Sequence, residues 1–186
     1  SGAPNYTPDA DIDDGSCEDY CGGVNACYGY IGFGSGSHGN VLVTGSNSNW
    51  LHTERLYVGY SGIGRLDIMD GGLVANFFTY IGGQSNSTSA AMVAGGNIWN
   101  DEQSRLNTVS LVVGDSGNGM LDVESGGLIS ANYATIGNSS SSIGDVTVAD
   151  MFSHLECVSL YTIPNKTCVP NSYPSTSTGF LLLSKM

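Results

Sequence analysis

The chain has 186 residues, enough for one domain or one repeat domain with small ends. Seventeen acidic residues stand against five basic ones, and a net charge of −12 repels phosphate backbones and anionic lipid, which argues against nucleic acid as a partner. No apolar run approaches the roughly 18 residues of a membrane-spanning helix, so no membrane insertion is expected.

Residues 1–27 read as an irregular acidic, cysteine-rich cap. Six acids lie in the first 20 residues: Asp9, Asp11, Asp13, Asp14, Glu18 and Asp19. Asp9, Asp11, Asp13 and Asp14, followed by Gly15, space carboxylates as calcium loops do, because a hard cation gathers several oxygen ligands. An EF-hand is excluded, since Asp14 holds the sixth position where glycine belongs and Tyr20 the twelfth where glutamate belongs. An irregular calcium turn and a solvated acidic turn both remain open; no other cofactor is expected. Cys17, Cys21 and Cys27 carry no nearby histidine or Cys-x-x-Cys spacing, so two of them are expected to form a local disulfide rather than a zinc site. The chain starts at Ser1 and reads as a trimmed, mature product.

Residues 28–150 repeat. Val58-Gly59-Tyr60-Ser61-Gly62-Ile63-Gly64-Arg65-Leu66-Asp67-Ile68 returns as Val113-Gly114-Asp115-Ser116-Gly117-Asn118-Gly119-Met120-Leu121-Asp122-Val123, and each copy leads to a Gly-Gly pair, Gly71-Gly72 and Gly126-Gly127. A shorter unit interleaves, with Ile31-Gly32, Ile81-Gly82 and Ile136-Gly137 leading to Val41-Leu42-Val43, Ala91-Met92-Val93 and Val146-Thr147-Val148. Positions 39, 64, 89, 119 and 144 mark five turns, with steps of 25, 25, 30 and 25 residues and no helical period between them. The alternation predicts Leu66, Ile68, Leu121 and Val123 inside and Asp67 and Asp122 exposed. Stacked as parallel strands, five turns make a column about 24 Å tall. The extra residues within Asn97–Ser110 predict a bulge on one side, and Trp50 and Trp99 are expected to pack a corner.

Several local motifs in this region fail as catalytic signatures. Gly114-Asp115-Ser116-Gly117 looks like a serine-protease nucleophile segment, but its repeat partner is Gly59-Tyr60-Ser61-Gly62, so the repeat explains it. Gly34-Ser35-Gly36-Ser37-His38-Gly39 satisfies a dinucleotide fingerprint yet leads into the strand-like Val41-Leu42-Val43 rather than a helix. Asp67 and Asp122, two turns apart, would sit near 10 Å, at the outer limit for an inverting glycosidase pair.

Residues 151–186 lose the repeat and form a C-terminal cap and arm. Cys157 and Cys168 are expected to pair, and the chain closes on the apolar Phe180-Leu181-Leu182-Leu183. That segment reads as a strand able to fold over its own end or to add to a neighbouring copy. Five cysteines leave one thiol over, free or bridged to another chain. Asn5, Asn86, Asn138 and Asn165 begin N-x-S/T sequons, acceptors for covalent glycans where a glycosylating secretion route exists.

The pattern VGxSGxGxLxIxxGGxV, followed by Ile-Gly and a Val-x-Val segment, resembles the glycine-rich repeat of secreted surface proteins of the autotransporter and PEP-CTERM-associated type. The stretch from Asn5-Tyr6-x-Pro8-Asp9-Ala10 to Asp13-Asp14-Gly15-Ser16-Cys17 resembles a short motif of large extracellular proteins of bacteria and algae. The resemblance implies an all-β right-handed parallel β-helix on an exported protein. The expected role is structural and non-enzymatic: a subunit or segment of a surface fibre that assembles through its solenoid ends and terminal arms or contacts other surface proteins. An adhesin-type module that binds glycans or surfaces is the alternative, and a polysaccharide-active enzyme the second.

Overall fold

In a computed structural model the described residues are 17–21, 27–51, 54–97, 102–150, 152–162, 169–170 and 180–183. Among them every regular element is a strand, because β-branched and aromatic residues alternate with polar ones and glycine breaks each run. In chain order the strands are β1 (Cys17–Cys21), β2 (Cys27–Ile31), β3 (His38–Thr44), β4 (Asn49–Leu51), β5 (Arg55–Val58) and β6 (Ile63–Met69). There follow β7 (Leu73–Ile81), β8 (Thr88–Ala94), β9 (Gly96–Asn97), β10 (Glu102–Gln103), β11 (Arg105–Val113) and β12 (Asn118–Glu124). The last are β13 (Leu128–Ile136), β14 (Ile143–Val148), β15 (His154–Thr162), β16 (Val169–Pro170) and β17 (Phe180–Leu183).

The strands stack in parallel as a β-solenoid of about five turns. One wall is β3-β6-β8-β12-β14-β16, and its register sets Gly39, Gly64, Ser89, Gly119 and Gly144 one above another, the five positions that mark the repeat. The second sheet runs β2-β5-β7-β11-β13-β15 and is bent. Arg105–Thr108 pairs with Leu73–Asn76 and Ser110–Val113 with Phe78–Ile81, while Phe77 and Val109 take no part in the register. The same omission falls on Asn132 and Val158 in the next two strands. Each nine-residue strand therefore lies on two walls, and the solenoid has three. The bend turns buried polar groups inward, and they satisfy one another: Thr79 Oγ1 donates to Asn76 Oδ1 at 2.9 Å, and Thr108 Oγ1 lies 3.1 Å from the carbonyl oxygens of Phe77 and Ser110.

Inside, like stacks on like. Leu66, Ala91, Leu121 and Val146 form one column and Ile31, Val58, Ile81, Val113 and Ile136 another, all buried. Leu66, Ile68, Leu121 and Val123 are fully buried, as the alternation requires. Asp67 and Asp122 point outward but are half-buried rather than exposed, since neighbouring rungs only about 4.8 Å away flank them.

Two corners of each turn are set by which residues carry no side chain. After the third wall, Gly32, Gly59, Gly82, Gly114 and Gly137 all take positive φ between 69° and 79°. The residues that then open onto β3, β6, β8, β12 and β14 are Ser37, Gly62, Ser87, Gly117 and Ser142 in successive turns. At the next corner, just before the second wall, the succession is Ser48, Gly72, Ser104, Gly127 and Ser153. The two alternations are in phase, so the structural unit is a pair of turns: odd turns carry serine at both corners and even turns glycine. The reason is close approach. A Cβ on Gly117 would lie 2.3 Å from Ser87 Oγ and 2.2 Å from the Gln84 carbonyl oxygen, and one on Gly127 would lie 2.1 Å from that of Val93. The serines complete the link, with Ser104 Oγ accepting from Gly71 N at 3.0 Å and Ser153 Oγ from Gly126 N at 3.0 Å.

Three expectations are corrected. The bulge is narrower than Asn97–Ser110: β9 and β10 form a small antiparallel hairpin, Ser104 N donates to the Gly95 carbonyl oxygen across its base, and from Arg105 the chain is back in register. Trp50 occupies no corner but sits in β4 opposite Val74, packed against the end of the core; Trp99 lies outside the described residues. Stacking also continues where the repeat motif ends, since β15 pairs along its whole length with β13, β16 with β14, and Phe180–Leu183 with His154–Cys157 of the same chain.

Leu121→Ala should cost about 2–5 kcal/mol in urea unfolding, the loss of buried contacts plus a cavity. Gly117→Ala should destabilise by about 1–3 kcal/mol or more through overpacking. Gly34→Ala, where an added Cβ meets nothing within 4 Å, should stay within about 0.5 kcal/mol of the parent.

Candidate functional site

The densest cluster of chemistry-bearing side chains is aromatic and lies on the outer face of the third wall. Register sets Tyr30, Tyr57 and Tyr80 on successive rungs of β2, β5 and β7. Their rings stack face to face, Tyr30 on Tyr57 at 5.2 Å and Tyr57 on Tyr80 at 4.8 Å between centroids. Beside them, Phe33 and Tyr60 stack at 5.4 Å and meet the ladder edge-on, Phe33 against Tyr30 at 4.8 Å and Tyr60 against Tyr57 at 5.1 Å. Arg55 closes one side: its Nη1 donates to the Tyr57 hydroxyl at 3.4 Å and its guanidinium lies 5.5 Å from the Phe78 ring centre.

Stacking covers both faces of Tyr57 and one face each of Tyr30 and Tyr80, so the arrangement is a ladder and not an aromatic-lined groove. What it offers to solvent is ring edges, hydroxyls and the partly exposed Phe33. Burial, then the neighbouring Tyr57, Tyr60 and Tyr28, pushes the Tyr30 hydroxyl above the usual tyrosine range against the opposing pull of Arg55. Burial and Tyr57 do the same for Tyr80. The hydrogen bond to Tyr57 in turn raises the Arg55 guanidinium, which stays charged.

Among the described residues the carboxylates do not converge. Asp67 and Asp122 share one outward row, yet Met92 stands between them. Asp67 Oδ2 is held by Arg65 Nε at 2.8 Å, a surface pair of little energetic weight. Asp115, of the protease-like segment, accepts from Asn138 Nδ2 at 2.7 Å, so that sequon asparagine is engaged. Asn86 and Asn138 are both exposed, at the same corner two turns apart. Cys157 is buried on the inner side of β15. Cys17, Cys21 and Cys27 lie on β1 and β2. Asp9, Asp11, Asp13, Asp14, Asn5, Asn165 and Cys168 fall outside the described residues. Among the described residues no group of three His, Cys, Asp or Glu side chains could hold a metal ion. They contain no helix long and apolar enough to cross a membrane.

No family model matches the chain, and no solved structure does. Over 101 residues, 54% of its length, it is 31% identical to the uncharacterized lipoprotein YdeK of Escherichia coli strain K12. The chain spans 8% of the length of that relative.

The ladder predicts a loss of stability in alkali. An acid whose pKa is raised by folding stabilises the fold fully below its unfolded value, about 10 for tyrosine, and progressively less as pH rises through the folded value. Urea midpoints should therefore fall above about pH 10. Tyr30→Phe, which keeps the ring and removes the proton, should shallow that decline.

Proposed function

We propose that this chain is an extracellular structural segment, a stiff spacer within a surface fibre of the cell envelope. The observation that carries the reading is how its reactive side chains are used. Tyrosine faces stack on tyrosine, Asp67 Oδ2 pairs with Arg65, and buried Ser104, Ser153 and Thr108 bond backbone within or between turns. A stack whose groups are spent on its own rungs suits a load-bearing or spacing role, which needs neither a cofactor nor a catalytic centre. The solenoid fold and the similarity to a protein named as a lipoprotein support a cell-surface or envelope location. Partners in this reading are other surface proteins or further copies, with covalent glycans on exposed asparagines where the host adds them. Antibodies raised against residues 28–150 should label the outside of intact source cells, with label at fixed positions along fibres in electron micrographs. Label reached only after the cells are broken would overturn the proposal.

The second reading, an adhesin-type module, draws on the hydroxyl-tipped edge of the ladder and on Phe33, 37% exposed. Under that reading a glycan array gives specific binding that Phe33→Ala and Tyr60→Ala weaken at least tenfold. Under the spacer reading the array is blank.

A further inference from the structure

The geometry points to a disulfide bond between Cys21 and Cys27 that fastens β1 across the N-terminal end of the spiral. β1 and β2 are antiparallel, and their facing residues run from Cys17 opposite Ile31 to Cys21 opposite Cys27. Facing residues of an antiparallel pair have Cα atoms about 4.5–5.5 Å apart. That lies inside the roughly 4.4–6.8 Å that a disulfide spans.

The other local pairings are out of reach. Cys17 is four residues from Cys21 on the same strand, roughly 13 Å at about 3.3 Å per residue. Because Cys27 faces Cys21, Cys17 stands at least as far from Cys27. A separation beyond about 7 Å cannot be bridged without moving the backbone. Cys157 is no candidate either, since β15 lies six strand steps from β1 in the same sheet, roughly 29 Å at about 4.8 Å per step. Of the three pairs the sequence leaves open in this cap, one remains.

The reaction is thiol–disulfide exchange with a disulfide oxidant. One cysteine thiolate attacks a sulfur of the oxidant and releases a thiol. The second then attacks the mixed disulfide and releases the other, so the two cysteines lose two electrons and two protons and the oxidant leaves as two thiols. In the cell this rests on the exported location proposed above, because only an oxidising compartment keeps such a bond. The bond fixes the register of the hairpin whose first strand covers the outer edge of β2, an edge that would otherwise be open to a strand of another chain.

The full chain, refolded with reduced and oxidised glutathione, is alkylated with one reagent, reduced, and alkylated with a second. Cleavage after Glu18 separates Cys17 from Cys21 and Cys27 before mass spectrometry. The expected result is that both cysteines take only the second reagent, and that in an unreduced portion the peptide holding Cys21 and Cys27 is lighter by two hydrogens than its dithiol form. The Cys17→Ser variant should keep that bond in full. The first reagent on Cys21 or Cys27, or either of them cross-linked to Cys17, overturns the inference. Refolding in vitro separates this test from that of location: a bond that forms with glutathione in a protein found inside the cell would sink the export reading and leave the pairing standing.

Discussion

Everything in this molecule follows from stacking parallel turns in register about one strand spacing apart. At that distance each side chain has its counterpart in the next turn as its nearest neighbour, so the sequence must supply partners that tolerate their own repetition. Aliphatic residues do so by packing, which is why the columns of Leu, Ile and Val are continuous. Tyrosines do so by stacking their faces. Corners are the hard case, because there the backbones of successive turns close in and two ordinary side chains do not fit. Serine in one turn and glycine in the next is the solution found at both corners. The hydroxyl of the odd turn reaches a backbone group, and the even turn gives up its side chain to make room. A single turn cannot be stable by itself, and a single kind of turn would not stack well on itself either.

The same constraint governs what the surface can do. A parallel stack brings equivalent residues within contact, so an exposed aromatic or polar row tends to satisfy itself before it can satisfy a ligand. Tyr57 illustrates this: one face lies on Tyr30, the other on Tyr80, an edge meets Tyr60, and its hydroxyl receives Arg55. Its hydroxyl is the acceptor in that bond, which raises the Arg55 guanidinium further above its ordinary value. Such a surface is stiff and chemically quiet, the combination a spacer requires.

Much of the fold was legible because it is written in two simple periods. Alternation along Leu66-Asp67-Ile68 gives the inward face, and the return of Val-Gly and Gly-Gly gives the turn. The third wall was not legible, because the inward positions flanking the bend are the polar Asn76 and Thr79, so the sequence does not show the inward face passing there from even to odd positions; only the pairing shows that Phe77 is skipped. The Ser/Gly phase was hidden for another reason: Ser87 and Ser104 read as loop residues until their turn-to-turn neighbours are known. The ladder escaped because Tyr30, Tyr57 and Tyr80 are separated by 27 and then 23 residues, and loop length absorbs the difference without disturbing the register. The stacking of β15 escaped because pairing of backbone with backbone asks little of the sequence, and His154–Thr162 joins the sheet without any of the glycine signature.

How the stack ends bears on how it could join a fibre. An unfinished parallel sheet is a template for any strand of suitable register. At the N-terminal side β1 returns antiparallel over β2, which reverses the strand direction there and interrupts the spiral. At the other side β16 pairs only with Thr147 and Val148, and one of its two residues is Pro170, which has no N–H to donate. Phe180–Leu183 lies against His154–Cys157, the strand it would have to leave in order to reach a neighbouring copy. A second copy competing for that edge would have to displace a segment tethered to it at high effective concentration. In the fibre proposed above, end-to-end strand pairing at this edge would therefore have to compete with the chain's own strand.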